Sequence, residues 1–138
     1  MENEEIFEKI NHHKKYLLYF LFGLIIWFIA ILLRELGIHK IYYLKFFLAA
    51  APNFAFVLLA FGVGMILFQL YFKKPFTFLN NALFVGLIFI FLILSEIIFF
   101  VFLSTPWDNY DLLASLIASI MILLIEYNQE SKNTDNSS

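Results

Sequence analysis

The sequence predicts an all-α protein, a polytopic transmembrane bundle of four helices. Hydrophobic residues make up 62% of the 138-residue chain and charged residues only 14%, whereas a soluble domain has roughly 45–50% apolar residues. The mean hydropathy is +0.84. The apolar residues form four continuous stretches without the alternation of β-barrel strands, and a backbone in lipid satisfies its polar groups only in helices or closed barrels. Four membrane helices are therefore the expected elements.

The four stretches are each near the roughly 20 residues that a helix needs to cross about 30 Å of hydrocarbon. In chain order they cover residues 16–33, 46–72, 82–103 and 110–126. Short connections join them, with few Pro or Gly residues, and no internal repeat is visible. A single bundle is the simplest architecture.

Two polar segments flank the transmembrane domain, which we assign to residues 16–127. Residues 1–15 are predicted to form an acidic, amphipathic cytoplasmic segment, and residues 128–138 are a Ser/Asn/Asp-rich stretch whose composition predicts a disordered cytoplasmic tail. The first apolar stretch ends at Leu33 and Arg34 rather than at a small-residue cleavage site. We therefore expect the first helix to be retained.

The Lys and Arg residues near the helix ends predict the orientation. The side that carries both termini has six of them and the other side has three. Because basic residues are enriched in cytoplasmic loops, this imbalance predicts an inner-membrane protein with both termini in the cytoplasm. The six are Lys9, Lys14, Lys15, Lys73, Lys74 and Lys132, and the three on the predicted outer side are Arg34, Lys40 and Lys45.

Several classes of chemistry are excluded by composition. The chain has no cysteine, which excludes disulfides, thiolate metal sites and a thiol nucleophile. A net charge of −2 gives no indication of nucleic-acid binding. His12 and His13 are adjacent, so on a helix they point about 100° apart and do not form a metal site. We therefore expect no metal site and no cofactor.

A track of polar residues descends from the predicted outer side. Asn53 lies about 10 Å into the second helix at 1.5 Å per residue, and Glu96 lies at a similar depth in the third, which runs the other way. Asp108 and Asp111 begin the fourth helix on that side, and Ser115 continues the face of Asp111 one turn on. The sequence therefore predicts an outward-facing polar pocket.

Each of these residues also has a structural interpretation. Pro52 kinks the second helix, and Asn53 then serves to hydrogen-bond a carbonyl that the kink frees. Asp108 is suited to cap the fourth helix. Asp111 lies three residues further and repels Asp108 unless a cation or a proton intervenes. Glu96 has no charge partner on its own helix, so it either pairs across helices or stays protonated.

Small residues recur at four-residue spacing on the second and fourth helices. This spacing lets helices approach closely, either within the bundle or against a partner in a homo- or hetero-oligomer. The residues are Ala60 and Gly64 on the second helix, and Ala114, Ser115, Ala118 and Ser119 on the fourth.

The segment of residues 94–122 resembles the carboxy-terminal half of VanZ-like membrane proteins. In that family a Glu within one helix is followed by a short loop and then by Asp-x-x-Asp leading into an apolar helix. Here the Glu is Glu96, the loop contains residues 105–107, and the two aspartates are Asp108 and Asp111. The chain lacks the family's Gln after the Glu and its Arg before the first Asp, and it has Ser115 in place of Asn and Ala118 in place of Gly. These departures indicate a divergent or an inactive member.

The resemblance implies a small multi-helix protein of the bacterial cell envelope, in a family whose founding type is linked to teicoplanin resistance. Our leading hypothesis is a pocket that binds a cation, a lipid headgroup or a lipid-linked envelope precursor through Asn53, Asp108, Asp111 and Ser115. Glu96 is the candidate catalytic residue, as a general acid or base, although the sequence does not establish an enzyme. The alternatives are a non-catalytic scaffold or accessory subunit, and a small oligomeric transporter with Glu96 as proton relay.

Overall fold

The structure, a computed structural model, confirms the predicted fold class. It describes residues 2–37, 42–72, 77–104 and 106–135, and side chains within 14–37, 44–72, 77–104 and 106–131. These residues form four helices and no strand: α1 (Glu2–Glu35), α2 (Tyr42–Phe72), α3 (Phe78–Leu103) and α4 (Asn109–Asp135).

All four helices contain a segment long and apolar enough to cross a membrane, which confirms the multi-pass prediction. The segments are Lys14–Glu35, Leu44–Phe72, Phe78–Leu103 and Asn109–Ser131. We call the end of the bundle where α1 begins and α4 ends the termini end, and the other the far end.

Two helices extend beyond the apolar stretches of the sequence. α1 already begins at Glu2, so the acidic segment continues the first membrane helix. α4 ends at Asp135, well inside the segment whose composition predicts disorder from Asn128. Residues such as Gln129 and Glu130 are good helix formers, and no Pro or Gly interrupts them, so a helix that is already nucleated continues at little cost.

α2 is the central helix of the bundle. It packs against α1, α3 and α4, and α3 and α4 also pack against each other. In the part of the chain that the structure describes, α1 makes no close backbone contact with α3 or α4. Two lateral grooves therefore flank α2, one between α1 and α3 and one between α1 and α4.

The close approach of α1 and α2 depends on glycine. A Cβ atom at Gly62 would lie 2.6 Å from the backbone nitrogen of Phe20 and 2.7 Å from the carbonyl oxygen of Tyr16. Both are atoms of a helix backbone, which cannot move aside cheaply. Gly86 on α3 is the opposite case, because a Cβ there meets nothing within 4 Å.

The core lies between α2, α3 and α4, with rings of α1 against it. The Phe61 ring makes edge contacts with Tyr16 and Tyr19, at centroid distances of 5.9 and 5.2 Å. The buried residues of the core are Tyr16, Val57, Leu58, Phe61, Met65, Val85, Ile88, Leu92, Ala118 and Ile122. Most other large apolar side chains are exposed on the outside of the bundle, as expected for a surface that faces lipid.

The small residues of α2 and α4 largely serve packing within the bundle. Ala118 is fully buried, and Ser115 and Ser119 are 1% and 5% exposed. Gly64 faces the Phe84 ring so closely that a Cβ would overlap it. Ser115, Ala118 and Ser119 therefore pack within the bundle, whereas Ala60 and Ala114 are partly exposed in the two grooves.

Candidate functional site

The predicted polar residues at the far end lie close together in the structure. The carboxylate of Asp111 is within electrostatic range of Asp108 and Glu96, and the side chain of Asn53 is its polar neighbour from α2. Glu96 has Asp108 as its charged neighbour. All four side chains are partly buried. We call Asn53, Glu96, Asp108 and Asp111 the acidic cluster.

Asp108 caps α4. Its Oδ1 atom accepts a hydrogen bond of 2.8 Å from the backbone N–H of Tyr110, in the first turn of the helix. This contact satisfies one of the N–H groups that a helix start leaves unpaired, and it places a negative charge at the positive end of the helix dipole. The structural interpretation of Asp108 is therefore confirmed, and its remaining effect on the site is electrostatic.

Arg34, rather than Asn53, satisfies the carbonyl that the proline frees. Pro52 has no N–H to donate to the carbonyl of Leu48, four residues earlier in α2. The Nε of Arg34 donates to that oxygen at 3.1 Å, its Nη2 donates to the same oxygen, and Nη2 also donates to the carbonyl of Ala49 at 3.2 Å. The kink-capping role expected for Asn53 is thus taken by an arginine of α1.

This exchange of roles leaves the Asn53 amide available to Asp111. One oxygen of Asp111, Oδ1, is nevertheless buried without a hydrogen-bond partner. A buried acceptor without a donor costs about 1–3 kcal/mol. Such an atom, in a cluster with three carboxylates, is a suitable partner for a ligand that brings a donor or a positive charge.

Ser115 is not part of the exposed site. Its hydroxyl donates to the carbonyl of Asp111 at 2.9 Å, and the hydroxyl of Ser119 donates to the carbonyl of Ser115 at 2.8 Å. The predicted alignment of these residues on one face of α4 is correct. However, that face packs into the bundle, so the Ser115 hydroxyl is already paired with its own helix.

An apolar groove adjoins the acidic cluster between α1 and α3, across the middle of α2. Its volume is about 790 Å³, and its two polar wall residues are Asn53 and Ser95. Asn53 therefore belongs to both the groove and the acidic cluster, and Ser95 precedes Glu96 in α3. A second groove, of about 600 Å³, lies between α1 and α4 and is lined by apolar residues and Tyr110.

A second polar site lies at the termini end, where sequence reasoning did not place one. Glu126 of α4 is only 3% exposed. Its Oε1 accepts a hydrogen bond from the Tyr19 hydroxyl at 2.9 Å, and its Oε2 accepts one from the Asn81 amide at 2.6 Å. Lys15 forms an ion pair with the same Oε2. We call Lys15, Tyr19, Asn81 and Glu126 the Glu126 cluster.

The sequence places three members of this cluster at similar depths from the same end of the bundle. Lys15 lies near the start of the first span, Asn81 near the start of α3 and Glu126 near the end of the fourth span, so all three are at the termini end. Each one alone is typical of a residue at the membrane interface. Only the tertiary structure shows that Asn81 and Glu126 are buried and that both side chains and Lys15 form a single site inside the bundle.

Among the residues that the structure describes, no three His, Asp or Glu side chains are arranged to hold a metal ion. The described carboxylates of the acidic cluster therefore do not form a ready divalent-ion site. His12, His13 and His39 lie outside the described side chains. No protein-family model matches the sequence, and neither a curated protein nor a solved structure matches it.

Proposed function

We propose that this chain is a VanZ-like integral membrane protein of the bacterial cell envelope that binds an amphipathic ligand. In this proposal the acidic cluster receives the polar headgroup, and the groove between α1 and α3 receives the apolar part. The observation that carries it is the buried, unpaired Oδ1 of Asp111, in a polar site that shares Asn53 with an apolar groove.

The charges of the site favour a headgroup with a positive charge or with hydrogen-bond donors. Three carboxylates lie near each other, and the guanidinium of Arg34 is within electrostatic range of one of them, Asp111. The guanidinium also donates to two carbonyls of α2, which fixes its position. Because like charges at membrane depth repel strongly, a donor or cation that enters the cluster gains a favourable interaction.

The shape of the site favours a lipid or a lipid-linked precursor over a free ion. The groove next to Asn53 is open and lined mainly by apolar side chains, among them Phe56 and Phe91. An acyl or prenyl chain in this groove contacts mainly apolar side chains, while its headgroup reaches the level of Glu96. The spacing of Glu96, Asp108 and Asp111, on which the VanZ resemblance rests, lies in this same region.

The first experiment uses the absence of native cysteine. Single cysteines at Asn53 and Glu96 are tested for reaction with a membrane-impermeant thiol reagent, added from the outer side of intact cells. Cysteine at Ser115 is the matched control. Ser115 lies in the half of α4 nearer the far end of the bundle, but it is only 1% exposed. We expect labelling at the first two positions and none at Ser115. Labelling only in inverted vesicles would reverse the predicted orientation, and no labelling at Asn53 or Glu96 would contradict the pocket.

The second experiment tests the ligand class directly. The purified protein is reconstituted with equal amounts of two phospholipids, one with an ethanolamine headgroup and one with a glycerol headgroup. The lipids that stay bound are identified by native mass spectrometry. We expect retention of the ethanolamine lipid, lost in Asp111→Asn and in Glu96→Gln. Equal retention of both lipids, unchanged in the two variants, would contradict a cationic headgroup site.

A further inference from the structure

We propose that the Glu126 cluster is a monovalent-cation site, in which the ammonium of Lys15 and a metal cation such as Na⁺ compete for the same carboxylate. The proposal concerns the termini end of the bundle and is independent of the acidic cluster. At 1.5 Å per residue along α4, Asp111 and Glu126 are about 22 Å apart.

The carboxylate of Glu126 is held in a fixed position. The Tyr19 hydroxyl and the Asn81 amide donate to its two oxygens from α1 and α3. The side chain of Glu126 is 2% exposed. A charge buried to this degree requires a counter-charge, because its desolvation costs several kcal/mol. In this structure the counter-charge is Lys15.

The site contains more oxygen acceptors than Lys15 uses. Asn81 is 3% exposed, and its Oδ1 is buried without a hydrogen-bond partner. Carboxylate, amide and hydroxyl oxygens are the donors that hard cations prefer.

Lys15 is the partner that can leave. Its side chain is 21% exposed, compared with 2% for Glu126, and it lies at the start of the α1 span beside the exposed Lys14. A lysine at the membrane interface can extend its ammonium into the headgroup region. Its departure leaves the buried negative charge of Glu126 next to the Tyr19 hydroxyl and the Asn81 amide, whose Oδ1 is unpaired, and a monovalent cation neutralises that charge.

Cation binding would also loosen the attachment of α1 to α4 at the termini end. α1 has no close backbone contact with α3 or α4 among the described residues, and in the Glu126 cluster its Lys15 and Tyr19 side chains reach Glu126 of α4. Replacement of Lys15 by a metal ion removes the ion pair and leaves the Tyr19 hydrogen bond. The cation therefore shifts how firmly α1 is held at the termini end.

The first test uses the unaltered protein in detergent. A water-soluble amine-acylating reagent modifies it in NaCl, KCl or choline chloride at equal ionic strength, and peptide mass spectrometry gives the rates at Lys15 and at Lys14. By mass action the released fraction of Lys15 grows as 1 + [Na⁺]/Kd, about tenfold when Na⁺ is near ten times its Kd. We expect Na⁺ or K⁺, but not choline, to accelerate Lys15 relative to Lys14. An unchanged ratio in all three salts would overturn the proposal.

The second test uses variants. Lys15→Gln removes the internal cation, so its apparent Tm should rise with the logarithm of the Na⁺ or K⁺ concentration above the Kd, by about 5 °C over a tenfold to hundredfold excess. The double variant Lys15→Gln/Glu126→Gln removes the carboxylate as well and should show no cation dependence. A single variant that folds without cation dependence, or a double variant with the same dependence, would refute the site. If Lys15→Gln does not fold, the labelling experiment decides.

Discussion

Replacing Arg34 with methionine removes the donor that satisfies the Leu48 carbonyl, at the place where Pro52 provides no N–H. Methionine keeps much of the length of the side chain but donates no hydrogen bond. A buried carbonyl left unpaired costs about 1–3 kcal/mol. Arg34 is exposed at one end of the bundle, so solvent can compensate part of this loss. We expect Arg34→Met to lower the free energy of unfolding by about 1–2 kcal/mol.

The test is a double-mutant cycle with Pro52→Ala. Alanine restores the N–H at position 52, so the Leu48 carbonyl regains its helical partner and the arginine is no longer required for it. The cost of Arg34→Met should therefore fall by about 1 kcal/mol in the Pro52→Ala background. The interaction of Arg34 with Asp111 is present in both backgrounds and cancels in the cycle.

Unfolding is followed by circular dichroism in mixed micelles with increasing denaturing detergent. Lys45→Met is the matched control, because it removes a positive charge from the exposed first turns of α2. Its effect should be independent of residue 52. An equal cost of Arg34→Met in the two backgrounds would refute the assignment of Arg34 as the partner of the freed carbonyl.

Two further substitutions test packing and the Glu126 cluster. Gly62→Ala places a Cβ within 2.7 Å of backbone atoms of α1 and should destabilise the protein by about 1–3 kcal/mol. Gly86→Ala, in open space, should be neutral or stabilising by up to about 1 kcal/mol. Equal effects of the two substitutions in thermal unfolding would contradict the described α1–α2 contact. Tyr19→Phe removes one hydrogen bond to Glu126 and should cost about 1 kcal/mol, whereas Tyr71→Phe, at an exposed hydroxyl, should cost nothing measurable in the same assay. A harmless Tyr19→Phe would show that this hydroxyl does not support the cluster.

The acidic cluster was largely predictable because depth follows from counting residues along a helix. Counted along the apolar stretches 46–72 and 82–103, Asn53 and Glu96 lie equally far from the same end, and Asp108 and Asp111 follow a short loop at that end. A straight helix rises by a constant 1.5 Å per residue, so equal counts give equal depths. The role of Arg34 was not predictable, because a freed carbonyl accepts from any nearby donor, and the sequence does not show which one is near.

The Glu126 cluster was missed for a related reason. Charged and amide residues near the ends of membrane helices are common at the interface, where they contact water and headgroups. Whether such a side chain points outward or inward depends on the rotation of its helix in the bundle. That rotation is set by contacts such as Phe61 with Tyr16 and Tyr19, which join residues far apart in the chain.

The sequence by itself determined that this protein is a bundle of four membrane helices with an acidic region at one end. Composition and the length of the apolar stretches suffice for this, because a lipid environment leaves few ways to satisfy a backbone. The tertiary structure decided which polar side chains share a site. Ser115 packs inside the bundle, Arg34 donates to the Leu48 carbonyl that Pro52 leaves unpaired, and Glu126 is buried in an ion pair with Lys15. These outcomes depend on helix rotation and side-chain packing, which are properties of the assembled bundle and not of any single segment.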